Sequence, residues 1–237
     1  FNEKEIGTWV FKTQGDGSYI LATEKLLKDY EDHWFIKETV LMFERTFKRL
    51  DVTARSLITA IEPGSCFVGF LAELVFVADQ SYMLLGQFEF SEKTDATITL
   101  TDFNFGPCKM VNGITRLESR FFGQDLKLDA IKENCYTPLK ASEAEILELV
   151  TFIPDDIDWE DELRMTIESR VGFSPDALSG MEANLRFVGP ETIESKIFSR
   201  LSAWQNWIFQ RPNAVGDKGA LVLYGTGERA QFKKERV

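Results

Sequence analysis

From about Asp32 to Leu50, the apolar residues Ile36, Val40, Phe43, Phe47 and Leu50 recur at alternating steps of four and three. That spacing places them on one face of an amphipathic helix, with Asp32 as its cap. Shorter apolar runs lie on either side. Thr8–Phe11, Leu57–Ile61 and Tyr82–Leu85 each read as a strand, and the first runs into the polar punctuation Gln14-Gly15-Asp16-Gly17. Phe70–Ala78, between the second and third runs, reads as a buried helix. Strand, helix and strand at this pitch predict an α/β unit. Phe88–Asp95 is acidic and loop-like, and Thr97–Phe105 returns to a strand or strand-to-loop pattern that Gly106-Pro107 ends.

After a weakly patterned stretch through Pro138, the second half turns helical. Ser142–Leu149 comes first, then Trp159–Arg170 ending at Gly172, then a helix opened by Ser174 with Pro175 at its first position. A last long helix follows Gly189-Pro190. Its Ile193, Ile197, Leu201, Trp204 and Ile208 form a stripe, and Pro212 stops it. This divides the chain into a partial α/β core over 1–140, a helical region over 141–212 and a C-terminal extension over 213–237. The Trp204, Trp207 and Phe209 helix presents a packing or oligomer surface.

The stretch Ser56–Asp79, SLITAIEPGSCFVGFLAELVFVAD, carries a single carboxylate, Glu73, inside its apolar helix. A charged side chain is almost never fully buried unless paired, and desolvation raises a carboxyl pKa toward the range of acid–base work. Two readings follow: a catalytic acid beside backbone N–H groups that hold an oxyanion, or a structural acid capping or pairing at a helix end. Asp102, in TLTDFNFG after the next strand, supplies a second carboxylate that could share a proton or a water with it.

Composition narrows the classes. The 237 residues are 44% hydrophobic with 20 Phe and 5 Trp, enough for a sizeable core. A net charge of −11 gives no electrostatic footprint for nucleic acid or for an anionic membrane. No apolar run reaches the roughly 18 residues of a spanning helix. Cys66, Cys108 and Cys135 are odd in number and widely spaced, so they read as reduced cytoplasmic thiols rather than a disulfide framework or a metal knuckle. His33 is the one histidine, which excludes zinc-hydrolase spacing and reads as a surface or packing residue. Ser65 follows Gly64 directly, so no nucleophile elbow forms, and Gly225-Thr226-Gly227 lacks the third glycine of a dinucleotide loop. The start at Phe1-Asn2-Glu3, without Met, reads as part of something longer.

The strand, Gly, helix and Glu-Leu pattern of Leu57–Asp79, with the acid at Asp102 and the segment AEILELVTFIP, resembles the crotonase (enoyl-CoA hydratase/isomerase) superfamily. Longer strings, among them GTWVFKTQGD, DHWFIKETV, IEPGSCF, PDDIDWEDE, SPDALSGMEANLRFVGPETIE and LSAWQNWIFQRPNAVGDKGAL, are similar to the C-terminal half of a two-unit group in that superfamily. That group hydrolytically opens the ring of an epoxidised benzoyl-CoA and releases formate. The resemblance implies a spiral of ββα units with a C-terminal helical region, an acyl-CoA thioester as substrate of the full enzyme, no cofactor, homo-oligomers and contact with an upstream half. It carries Glu73 and Asp102 onto the two family acids, with Asp102 standing where Glu is usual, and Gly69 and Phe70 onto the oxyanion position.

The departures from the family are specific. The spacing from Gly64 to Glu73 is one position longer than the family's, and Val68-Gly69-Phe70-Leu71 stands where three glycines belong. Phe70 and Leu71 would crowd the thioester oxygen. The early oxyanion turn holds Asp16-Gly17-Ser18-Tyr19-Ile20 instead of the family's Ala-Gly-x-Asp. Three functions therefore stand: a degenerate, non-catalytic half that supplies scaffold and pocket wall, a hydratase or isomerase in its own right using Glu73 and Asp102, or a structural or binding module without an acyl-CoA site.

Overall fold

The structure, a computed structural model, describes residues 3–90 and 92–235. Phe1 and Asn2, Ser91 of the acidic loop and the last two residues of the C-terminal extension lie outside the described residues. The chain divides into two compact units. The larger holds Val10–Val52 and Leu57–Leu163, and the smaller holds the chain through Trp9, Thr53–Ser56 and everything from Arg164 on.

In chain order the α/β part runs β1 (Thr8–Phe11), α1 (Gly17–Asp29), α2 (Trp34–Asp51), β2 (Ser56–Ile61), β3 (Phe67–Val68), α3 (Glu73–Val77), β4 (Gln80–Met83) and β5 (Ile98–Thr99). It continues through α4 (Arg116–Arg120), α5 (Asp125–Glu133), α6 (Ala141–Ile146) and the start of α7 (Trp159–Gly172). One sheet has the order β1-β2-β4, and β3 pairs with β5 in a second. β2 and β4 run parallel with Ile58 opposite Gln80 and Ile61 opposite Met83, and Phe67 lies opposite Ile98 in the parallel β3–β5 pair. All six residues of β2 are buried, as expected of a parallel strand covered on both faces. Ile61, Phe67, Val75, Met83, Ile98, Leu117, Ile131 and Leu149 form the core between the sheets and helices.

The α/β class and the apolar strands agree with the sequence pattern, and several boundaries differ for physical reasons. Residues 17–29 form α1, which the pattern did not predict. Asp16 caps it by accepting the Ser18 N–H at 2.8 Å, so the Asp-Gly pair read as loop punctuation is a helix start. The cap of α2 is His33, whose Nδ1 accepts the Phe35 N–H at 3.3 Å, rather than Asp32. The predicted Phe70–Ala78 helix is a 3-10 turn, Gly69–Leu71, running into the short α3, because Gly69 enters the turn at φ +51°. Thr97–Phe105 shortens to β5 followed by a 3-10 turn, Asp102–Phe105, closed by a capping box between Thr101 and Asn104.

The weakly patterned stretch before Pro138 holds α4 and α5. α4 opens on a second capping box, in which the Thr115 hydroxyl accepts the Glu118 N–H and the Glu118 carboxylate accepts the Thr115 N–H at 2.6 Å. Thr115→Ala is expected to lower stability by about 1 kcal/mol. Urea denaturation reads this directly, and an unchanged midpoint would remove the cap from any role in holding α4.

In the smaller unit α8 (Pro175–Leu185) is capped by Ser174 with Pro175 in its first turn, as the sequence predicts. It packs against α9 (Ser202–Ile208), and a Cβ at Gly180 would lie 2.7 Å from Ile208 Cδ1. α10 (Pro212–Val215) and α11 (Ala220–Leu223) follow. Asp176 accepts from Arg211 Nε at 3.3 Å and Asn213 Nδ2 at 2.9 Å, and Glu182 accepts from Ser56 Oγ at 3.0 Å. The apolar stripe read along the last helix is not one face. Ser195–Leu201 winds as a π-helix, which resets the helical phase, so Ile193 and Leu201 stay exposed while Trp204 and Ile208 meet α8.

Candidate functional site

Glu73 opens α3 fully buried, and both of its oxygens are engaged. Oε1 accepts from Asn104 Nδ2 at 2.7 Å, and Oε2 accepts from Arg116 Nη1 at 2.8 Å. Arg116, at the first position of α4, turns its other edge to Asp51, donating through Nε at 2.9 Å and Nη2 at 2.6 Å. Nη1 also reaches the Cys108 carbonyl at 3.1 Å, and the guanidinium lies 5.2 Å from the Phe47 ring centroid. Two carboxylates thus share one guanidinium out of contact with water. Burial pushes the Glu73 carboxyl above its usual range, against the pull of Arg116 and Asn104 and with the Asp51 charge adding to the rise. Burial alone would pull the Arg116 guanidinium down, but Glu73 and Asp51 more than offset it.

Asp102 belongs to a different environment. It lines a cavity of about 810 Å³ that α1 and α2 wall on one side and Phe103, Pro107 and Tyr136 on the other, and Glu73 is not part of that wall. Its carboxylate stands 3.5 Å from Lys28 Nζ with about two thirds of the side chain exposed, and its N–H donates to Tyr136 Oη at 3.5 Å. The 3-10 turn Asp102–Phe105 separates the two acids, with Asp102 facing the cavity and Asn104 turned inward to Glu73.

At the position of the expected oxyanion donors, the Phe70 N–H donates at 2.6 Å to Glu24 Oε1, a carboxylate of α1. The Gly69 carbonyl accepts from Asn104 Nδ2 at 2.9 Å. The Phe70 ring does not project into the cavity. It stacks on Phe43 at 4.8 Å between centroids and meets Phe103 edge-on at 6.0 Å, so the bulk that replaces the family's glycines is absorbed by a core of α2 and the 3-10 turn. Burial pushes the Glu24 carboxyl up, opposed by its bonds to Thr101 and Phe70. Among the described residues no cluster of His, Cys, Asp and Glu is placed to hold a metal, and no helix is long and apolar enough to cross a membrane.

Asp51, Arg116, Asn104 and Glu24 were not singled out from the sequence. Thr115-Arg116-Leu117-Glu118 carried a usable signal, a Thr-x-x-Glu capping box that starts a helix with an arginine at its head. Asp51 carried another, since an acid at the last position of a helix opposes the macrodipole and calls for a cation. Nothing in the local pattern of α1 marks Glu24.

The chain has the crotonase fold, that of the enoyl-CoA hydratases/isomerases. It superposes on an enoyl-CoA hydratase/isomerase from Cupriavidus metallidurans CH34 with a TM-score of 0.64 and 17% identity, covering 98% of this chain and 81% of that one. An enoyl-CoA hydratase/isomerase from Marinobacter aquaeolei gives 0.63 and 15% identity over 96% and 83% of the two chains. In sequence the chain is 47% identical over 236 residues to the benzoyl-CoA-dihydrodiol lyase of Aromatoleum evansii. The match takes in all of this chain and 42% of that protein, so the chain spans less than half the length of the curated relative it matches. No family model matches the chain.

Proposed function

We propose that this chain is a non-catalytic crotonase-fold half of a benzoyl-CoA-dihydrodiol lyase, supplying scaffold and pocket wall to a catalytic half elsewhere in the enzyme. The observation that carries the reading is Glu73. The carboxylate on the first family acid position is fully buried, has both oxygens bonded to the buried side chains of Asn104 and Arg116, and does not line the cavity between α1 and α2. Asp102 retains access to the cavity but has no second acid of the family pair beside it, and the Phe70 N–H of the oxyanion position is bonded within the chain. On this reading Glu73 holds the fold together, and the full enzyme hydrolytically opens the ring of an epoxidised benzoyl-CoA with release of formate. It does so in the cytoplasm during aerobic benzoate breakdown, as a homo-oligomer and without a cofactor.

The test is reconstitution. The chain alone is expected to release no formate from epoxybenzoyl-CoA, and supplying the remaining part of such a lyase should restore release. Glu73→Gln in this chain should leave the restored rate within about threefold, as expected for a residue outside the transition state. Hydration of crotonyl-CoA by the isolated chain, lost on Glu73→Gln, would overturn the reading in favour of a hydratase. Failure of reconstitution together with no acyl-CoA binding would leave a structural or binding module.

A further inference from the structure

The cavity between α1 and α2 has an apolar interior, built by Leu21, Leu27, Ile36, Val40 and Phe103. Among its described lining residues Lys25, Lys28, Glu31, Lys37 and Asp102 are exposed, and Glu24 is the one charged side chain that is not. Glu24 lines the cavity and Phe70 does not, while the Glu24 carboxylate takes the Phe70 N–H at 2.6 Å. The backbone donor that a carbonyl or carboxylate oxygen would seek is therefore screened from the cavity by an acid of the same chain.

Gly69 is fitted to this arrangement. A Cβ there would lie 2.5 Å from Glu24 Cδ and 2.7 Å from Oε2, and the backbone is held at φ +51°. The one glycine kept in the Val68–Leu71 segment leaves room for Glu24, a role separate from admitting a ligand. An oxygen brought to the same N–H would have to displace the Glu24 carboxylate that already takes it at 2.6 Å.

We propose that Glu24 is a fixed occupant of the oxyanion position, so that the cavity admits a neutral arene or alkyl group and excludes a carboxylate or thioester oxygen. This goes beyond the scaffold reading, and its test needs neither the other half of the enzyme nor any catalytic activity.

The experiment is an amide and methyl NMR titration of the full chain with toluene and with benzoate. Toluene is expected to shift the methyls of Leu21, Leu27 and Val40, with benzoate at least about tenfold weaker because the N–H its carboxylate would seek is already taken by Glu24. Glu24→Ala should raise benzoate affinity by about tenfold and make the Phe70 amide respond to it. Glu24→Gln separates occupancy from charge, because its amide oxygen can still accept the Phe70 N–H, so benzoate should stay out. Benzoate binding the unsubstituted chain as tightly as toluene, no gain in Glu24→Ala, or an equal gain in Glu24→Gln would each overturn the proposal. Should Glu24→Ala fail to fold, hydrogen exchange in the unsubstituted chain decides the matter: a protected Phe70 amide supports the proposal and a freely exchanging one overturns it.

Discussion

Arg116→Met is expected to lower the stability of the larger unit by about 3–5 kcal/mol, the range seen when one partner of a buried ion pair is removed and its counter-charge stays behind. Here two counter-charges stay behind. Asp51 and Glu73 are both buried, and each relies on the Arg116 guanidinium, Asp51 through two hydrogen bonds and Glu73 through one. Arg116→Lys should recover only part of the loss, since an ammonium cannot reproduce a planar fork with one edge on Asp51 and the remaining nitrogen on Glu73. Replacing Asp51, Glu73 and Arg116 together by apolar residues of similar volume should cost far less than Arg116→Met alone, because the desolvation of all three charges is then avoided. Urea denaturation with tryptophan fluorescence reads each variant. A loss below about 1 kcal/mol for Arg116→Met would mean that water reaches the carboxylates and that the network carries no weight.

Gly69→Ala comes second in size, at about 3 kcal/mol. Two costs add: a non-glycine residue held at positive φ, and a methyl group placed against the Glu24 carboxylate. The second is relievable. In a double-mutant cycle Glu24→Ala should return about 1–2 kcal/mol of the loss, leaving the backbone strain behind. Simple additivity of the two substitutions would show that Glu24 moves away freely and that the contact is not fixed.

The sheet strands were legible in the sequence because a buried parallel strand is apolar at nearly every position, and Leu57–Ile61 is such a run. The α2 stripe was legible for the same reason at a helical period, although its cap fell one residue later than read. α1 was not, because Gly17, Tyr19, Thr23 and Lys25 break the apolar rhythm on a helix that buries only Leu27 completely. Of the candidate site, Glu73 and Asp102 were found as acids in conspicuous places. Their separation into a closed ion network and an open cavity depends on Arg116 and Asn104, which arrive from elements far along the chain. A single charged residue on an amphipathic helix looks the same whether it faces solvent, as Lys25 does, or screens a backbone amide, as Glu24 does.

The ion network also has a kinetic meaning. Its bonds span 31 residues from Glu73 to Asn104, 43 from Glu73 to Arg116 and 65 from Asp51 to Arg116. Contacts that close loops of this length reward the chain only after α2, α3 and α4 have docked, so they belong to the late side of the folding barrier. Weakening them is expected to steepen escape from the folded state while leaving the rate of reaching it almost untouched. In stopped-flow experiments the Arg116→Met loss should therefore appear in the unfolding arm of the chevron, and a slowed refolding arm would place the docking early instead. Arg116 thereby works as a latch on the finished structure, setting how long the larger unit lasts once formed.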